Sequence, residues 1–383
     1  MPSTVSVTRC ATYDEGKVDE AVKKALSHLG GIGKYVKKGD RVLLKPNLLS
    51  ASSPDKAITT HPQILKAMVK QVQSAGGTAI IADSPGGPFN RKMLESCYEK
   101  SGWKAVADET GATLNYNTGA RQVSYPDGKL LKRIDVMALL GEVDVVITLP
   151  KMKTHTLTHI TGATKILFGI VPGLIKPAYH LKFSEPERFC DMLLDILAYV
   201  KPSLTVMDGI VGIEGDGPGA QGKVKNAGVI LASQDSVALD VVACHIMDMR
   251  PQDVIILRRA MERGLTSGRL SDIEVVGARV DDVKTRFEPP SGAKGMIGTL
   301  LSSKLLKRVM LKMWVPYPQA NMNCVRCGIC MQNCPAQAIT ITDRARMDLK
   351  KCIRCYCCHE LCPHKAVDLK SQADWLKKLT GKR

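Results

Sequence analysis

Eight of the thirteen cysteines fall into a single ligand pattern written twice near the end of the chain. Cys324, Cys327, Cys330 and Cys334-Pro335 are followed, 28 positions on, by Cys352, Cys355, Cys358 and Cys362-Pro363. A 4Fe-4S cubane needs four converging thiolates. Three cysteines at x-x spacing wrap one side, the fourth comes from elsewhere, and the proline turns the chain away. In the doubled form of this pattern the fourth cysteine of each run serves the other cluster. The spacing therefore assigns Cys324, Cys327, Cys330 and Cys362 to one 4Fe-4S cluster, and Cys352, Cys355, Cys358 and Cys334 to a second. Zinc is the competing reading of Cys-x-x-Cys pairs. It gives no reason for a third cysteine at the same spacing, or for Cys-Pro, in both halves.

The 17 residues between Cys334 and Cys352 suit a strand pair, expected at Ala338–Thr342 and Arg346–Leu349. Val367 corresponds to Ile339 in the repeat. The remaining cysteines, Cys10, Cys97, Cys190, Cys244 and Cys357, are scattered, as buried thiols of a reducing compartment are. Cys357 takes the place of Ile329 and is expected as packing, not as a ninth ligand.

The 383 residues are enough for two or three domains, and the 44% apolar content is enough for a sizeable core. No apolar run approaches the roughly 20 residues that span a bilayer. The first residues have neither the basic nor the apolar region of a signal peptide. The expected location is cytoplasmic. The formal charge of +17 would suit nucleic acid, an anionic membrane surface, or an acidic substrate or partner. Aromatics are only 4% and no block of five basic residues occurs, which disfavours nucleic acid.

Residues 1–282 alternate buried strand runs with helical periods, the pattern of an α/β domain with a mostly parallel sheet and helices on both faces. Residues 283–317 read as a linker ending in a basic amphipathic helix at Gly298–Trp314. That helix suits packing between domains better than peripheral membrane contact. Residues 318–370 form the small α+β iron-sulfur domain, and 371–383 a basic tail with a short helix at Gln372–Leu379.

In such sheets ligands bind beyond the carboxyl ends of the strands, and the unusual polar motifs begin there. Lys45-Pro46-Asn47 follows Arg41–Leu44. Thr59-Thr60-His61-Pro62 opens a helix, with Thr60 or His61 near its N-terminus. Asp83-Ser84-Pro85-Gly86-Gly87 follows Thr78–Ala82 and is either an anion nest or a plain turn. Pro150-Lys151-Met152-Lys153-Thr154-His155 follows Val143–Leu149, with Lys165 beyond it. Lys151, Lys153 and His155 alternate, so an extended segment turns them to one side. Cations there attract a carboxylate or phosphate, and histidine is the natural proton donor near neutrality. Glu214–Lys223 contains fragments of dinucleotide and P-loop signatures, but both need a helix next, and a strand is expected near Gly228. It reads as a lid or approach loop with Glu214 or Asp216 facing the site.

Taken in order, the Lys-Pro-Asn, Thr-Thr-His-Pro, Asp-Ser-Pro-Gly-Gly, Pro-Lys-Met-Lys-Thr-His, Thr161-Gly162-Ala163-Thr164-Lys165 and Glu-Gly-Asp-Gly-Pro motifs resemble the family defined by domain of unknown function 362. Residues 318–370 resemble a bacterial two-cluster ferredoxin. The resemblance implies an iron-sulfur protein of redox role and carries no reaction with it. From the residues themselves, the expected activity is a ferredoxin-fused reductase acting on an anionic small molecule or a bound organic cofactor such as a flavin. Lys45, Lys151 and Lys153 would hold the anion, His155 or His61 would supply a proton, Glu214 would close the site, and Asn47 and Lys165 are further candidate site residues. The alternative is a non-enzymatic electron carrier whose large domain docks a redox partner protein. One cluster is expected to face the strand-end rim.

Overall fold

The computed structural model describes residues 2–291 and 315–371. The helices expected at Gly298–Trp314 and Gln372–Leu379 lie outside the described residues.

The strands in chain order are β1 (Ser3–Arg9), β2 (Arg41–Pro46), β3 (Thr78–Ile81), β4 (Thr113–Leu114), β5 (Ala120–Ser124), β6 (Arg133–Met137), β7 (Val145–Leu149), β8 (Lys151–His155), β9 (His159–Ile160), β10 (Leu204–Glu214), β11 (Lys223–Ser233) and β12 (Ile273–Gly277). The main sheet runs β12-β1-β11-β10-β7-β2-β3-β4, with β8 pairing β10 and β9 pairing β8. β2 pairs β3 and β7 in parallel, as do β3 with β4 and β10 with β7 and β8. Antiparallel β11 inserts between β10 and β1. The result is a mixed α/β domain with a mostly parallel central sheet.

Alternation along each strand divides its side chains between two cores. Val42 and Leu44 face the layer that holds the helices Glu15–Ser27 and Pro62–Ser74. Leu43 faces the layer that holds Pro186–Val200 and Ser236–Ile246. Helix ends follow local chemistry. Pro62 sits in the first turn of its helix, where its missing N–H costs nothing. His61, not Thr60, is the N-cap, its Nδ1 accepting from Gln63 N–H. Thr60 instead donates to the Leu149 carbonyl at 2.6 Å, tying this loop to β7.

From β2 the chain builds outward through β3 and β4, and later through β7 to β10 on the other side of β2. The order therefore reverses between β2 and β7, whose ends are in register at Pro46 and Leu149. A crevice at the strand carboxyl ends is expected at such a reversal.

Residues 315–371 form a small unit. β13 (Tyr317–Ala320) pairs antiparallel with β16 (Val367–Lys370), and β14 (Ile339–Ile341) with β15 (Ala345–Met347). One-turn helices lie at Ile329–Gln332 and Cys357–Glu360. Ile339 and Val367 share one core, as their equivalence in the repeat requires.

Candidate functional site

The β2/β7 crevice holds a partly open cavity of ≈ 820 Å³, a volume that includes open solvent. Its floor comes from the segments after three strands: Asn47 and Leu48 after β2, Asp83 and Ser84 after β3, Pro150 and Lys151 after β7. Lys165, Phe168, Lys176 and His180 form one wall. The roof is Asn333, Cys357, Glu360 and Leu361 of the small unit.

Two buried ion pairs build the floor. Lys45 Nζ lies 2.8 Å from Asp83 Oδ1, with neither side chain more than 2% exposed. Asp83 Oδ2 also accepts from Leu48 N–H. Lys151 Nζ lies 2.7 Å from Asp208 Oδ2, both fully buried. Tyr13 joins this pair, accepting from Lys151 at 2.7 Å and donating to Asp208 Oδ1 at 2.8 Å. Its ring stacks on His61 at 3.5 Å. Burial lowers the pKa of Lys45 and Lys151 and raises that of Asp83, while each partner opposes the shift. Each ammonium thus has its own carboxylate and leaves little charge for a ligand.

The wall is different. Lys176 donates only to neutral oxygens, Ser84 Oγ, Ser84 O and Pro85 O. Burial brings its pKa down to about 7. Lys165 has no hydrogen bond or ion pair to its Nζ among the described residues. Its position is fixed from behind, because buried Asp240 accepts from Ala163 N–H at 2.6 Å and Thr164 N–H at 2.8 Å. Burial raises the Asp240 pKa to about 6 against those two bonds. Gly162 has φ +57, and a Cβ there would run into the Asp240 carboxylate.

β8 carries Lys151, Lys153 and His155 on one side, all buried. Only Lys151 lines the cavity. Lys153 donates to the Ile58 carbonyl at 2.8 Å, with its pKa pushed well down by burial and by the neighbouring Lys165 and Lys151. His155 Nδ1 accepts from Leu157 and Thr158 N–H, so its proton sits on Nε2. That atom lies 3.2 Å from Glu360 Oε1, close in distance but off the line of a hydrogen bond, and both atoms lack any other partner. Burial pushes the His155 pKa well down and the Glu360 pKa up. His180 stacks on Phe189 at 4.3 Å, and burial pushes its pKa down to about 3.

Glycines admit the roof. A Cβ at Gly86 would strike Leu361, and one at Gly219 would strike the Glu360 carbonyl. The loop 215–222 completes the joint. His359 Nε2 is 3.1 Å from the Asp216 carbonyl, and Gln221 donates to the Val367 carbonyl at 2.8 Å. Asp216 itself accepts from Ser291 N–H and Oγ.

Inside the small unit the cysteines sort into two sets around two cavities, each with ≈ 350 Å³ of space between atoms. Cys324, Cys327, Cys330 and Cys362 line one; Cys334, Cys352, Cys355 and Cys358 line the other. The halves repeat in detail. Ala338 N–H points to Cys334 Sγ at 3.2 Å, and Ala366 N–H to Cys362 Sγ at 3.3 Å. Cys357 lines both the second cysteine cavity and the strand-end cavity.

Of the residues expected from sequence, Asn47, Lys151 and Lys165 meet in the cavity wall, with Lys45 one contact beneath through Asp83. Lys153 and His155 lie behind it. His61 belongs to the Tyr13–Asp208 network, with burial pushing its pKa down to about 4. Glu214 is a correction. Its carboxylate accepts from Glu288 N–H at 2.9 Å and faces Lys225 at 3.6 Å, because β10 runs on to Glu214 and carries it past the cavity. The following loop is likewise a docking loop rather than a lid. β11 begins at Lys223, so no helix follows it, as either nucleotide signature would need. Sequence reading missed Asp208, Lys176, His180, Asn333 and Glu360. Only Asp208-Gly209, at the end of an apolar run, carried a signal.

Residues 42–245 match the model of the family described as "Domain of unknown function (DUF362)". The chain is 34% identical over 255 residues to the thylakoid-associated protein sll1697 of Synechocystis sp., covering 66% of this chain and 77% of that protein. Among solved structures it is similar to the lactate racemase apoprotein of Thermoanaerobacterium thermosaccharolyticum, with TM-score 0.41 and 14% identity over 65% of this chain and 58% of that one. A protein from Thermotoga maritima matches with TM-score 0.31 and 15% identity over 52% and 51% of the two chains. The chain thus spans little more than half of either solved protein. No helix among the described residues is long and apolar enough to cross a membrane.

Proposed function

We propose a role for this chain, which belongs to the DUF362 family: it is a ferredoxin-fused reductase that holds two 4Fe-4S clusters and acts on an anionic small molecule in the strand-end cavity. The observation that carries the proposal is the shared wall. Cys357 borders both the cavity formed by Cys334, Cys352, Cys355 and Cys358 and the cavity that holds Lys165.

The cysteine sets suit the clusters on three counts. Each set of four lines one void, the second void being bordered by Cys357 as well. Backbone N–H groups point at sulfur in both halves. No group of three or more His, Cys, Asp or Glu among the described residues is disposed to hold a single metal ion, as a zinc site would require. When bound, such clusters supply one-electron transfer.

The chain's own residues do the rest. Lys165 and Lys176 have no carboxylate within ion-pair distance among the described residues, and although burial lowers the pKa of both, an anion beside them would favour their charged forms. Asn47 Oδ1 and Asn333 Oδ1 are buried acceptors without partners. They suit a ligand that also carries N–H or O–H donors. Asn333 Nδ2 is occupied by the Ile329 carbonyl, which fixes which atom is free. Phe168, Ile166, Pro177 and Leu361 exclude water around the apolar part of the ligand. His155 Nε2 and Glu360 Oε1, 3.2 Å apart and each without a hydrogen-bond partner, leave a further unsatisfied polar pair behind the roof. A cavity lined by Lys165 and Lys176 at the strand ends favours a reductase over a bare carrier, which needs none.

The test is anaerobic purification with iron and sulfide analysis, mass spectrometry of any copurifying small molecule, and the same for Lys165→Ala. The expected result is two clusters in both proteins and an anionic ligand lost from the variant. A protein without a ligand, whose clusters are reoxidised only by other proteins, would overturn the reductase reading.

A further inference from the structure

The cavity accounts for the second cysteine set and leaves the first without a role. That set lies at the surface, with Cys327 exposed. Four of the eight large apolar side chains left exposed among the described residues belong to this small unit, and three flank the first set: Met322 at 88% exposure, Val325 at 56% and Met331 at 43%. Val325 adjoins Cys324, Met331 follows Cys330, and Arg344 reaches the Met322 sulfur at 3.7 Å. Exposed methionines next to arginine are the composition of an adaptable interface rather than of a solvated surface.

The border is basic. Arg326 and His364 line the same cavity as the first cysteine set, and Arg344, Arg346 and Lys365 are exposed beside it. Asp343 is the nearby exposed carboxylate, and it is already engaged by Arg346 at 2.9 Å and Arg344 at 3.8 Å. The chain as a whole carries +17. Even with about four units removed by two loaded clusters, it stays strongly positive.

We infer that the face around Cys327, formed by Met322, Val325, Met331, Arg326 and Arg344, is the docking site of a small acidic one-electron carrier protein that reduces the chain. This rests on the reading that the eight cysteines hold clusters. Transient redox interfaces are small, so a few apolar contacts inside a charged border suffice. Electrons from the carrier enter at the Cys324/Cys327/Cys330/Cys362 set and leave through the set that borders the ligand cavity. The balance is one electron per docking event: the carrier is oxidised by one unit and the chain reduced by one, and no proton crosses the interface.

The experiment uses the full chain with clusters loaded, iron and sulfide having been counted first. Flavodoxin hydroquinone, an acidic one-electron protein donor, is mixed with the chain in a stopped-flow instrument at low and at 0.5 M salt. Methyl viologen radical, a small cationic donor, serves as the control. Arg344→Glu and Met322→Glu are exposed changes outside both cysteine sets. Each should slow reduction by flavodoxin about tenfold at low salt, as losing electrostatic steering does. Reduction by methyl viologen should stay within twofold, and high salt should slow the wild type toward the variants. Equal flavodoxin rates in wild type and variants overturn the docking face while leaving the clusters standing. A rate that rises when the chain is truncated after Ser371 shows the face covered by the chain's own tail, and also overturns it. Absence of clusters removes the premise and the proposal together.

Discussion

Asp208→Asn is the sharpest perturbation of the cavity floor. The amide keeps the shape and still accepts from His61 N–H, now at 3.0 Å. It removes the carboxylate 2.7 Å from Lys151 Nζ, where both side chains are fully buried. Stripping one partner from a buried pair costs about 3–5 kcal/mol. Tyr13 OH remains 2.7 Å from the ammonium, so the lower end, about 3 kcal/mol, is expected. The pH dependence has a definite sign. Burial already holds the folded-state pKa of Lys151 below its ordinary value, and losing the carboxylate lowers it further. Between the folded and unfolded pKa the unfolded chain binds more protons, so stability from this group rises with pH. The deficit of the variant is therefore largest at neutral and acid pH and shrinks toward about 10.4, the ordinary lysine value. Urea unfolding followed by far-UV circular dichroism at pH 7 and 9.5 measures both quantities. The double variant Asp208→Asn with Lys151→Met should recover most of the loss, since it removes the unpaired ammonium while the amide still accepts from His61 N–H. A deficit under about 1 kcal/mol at pH 7, or one that grows with pH, would refute the reasoning.

Replacing Cys327 by Ser should remove about four of about eight irons, whereas Cys357→Ala should keep them all, as read by iron and sulfide assay. Gly219→Val should drive the small unit off the loop 215–222, because the new side chain meets the Glu360 carbonyl; limited proteolysis should then degrade residues 315–371 faster than in the wild type. Lys176, with its pKa near 7 in the folded protein, loses its proton above that pH, so retention of a copurified anion should weaken between pH 7 and 9, and Lys176→Met should abolish that dependence in equilibrium dialysis. Nitrogen NMR should find His155 neutral with its proton on Nε2 at a pH where an ordinary histidine is half charged, since burial and the surrounding lysines oppose its charging.

The parts of this site legible in the sequence share one property: they are local. Strand runs ending in Lys-Pro-Asn or Pro-Lys-Met-Lys placed cations at the sheet rim, and period-two alternation put Lys151, Lys153 and His155 on one side of β8. The doubled cysteine spacing anticipated a partition that the two cavities repeat. What stayed hidden is set by packing across the chain. Lys45 is paired with a carboxylate 38 residues away and Lys151 with one 57 away, so motif reading took as free two cations whose charge is already matched. Lys176 and His180 lie on a short helix with no unusual pattern. Glu360 and Asn333 reach the cavity only because Gly86 and Gly219 let the small unit approach. Glu214 misled for the opposite reason: a polar residue after a strand looks like a rim residue until the strand proves longer than its apolar run.

The glycine-admitted roof has a consequence for how the molecule comes into being. The floor, the wall and the groups that brace them lie within residues 13–240 and the roof within residues 333–361, so the ribosome finishes the floor before the roof exists. Until the last portion emerges and docks, Lys165 and Asn47 stand at an open shelf, wet and accessible. Completion of the floor and covering of the cavity are thereby ordered in time. A nascent chain stalled near residue 330 would present a folded but roofless platform, able to meet its ligand and unable to keep it.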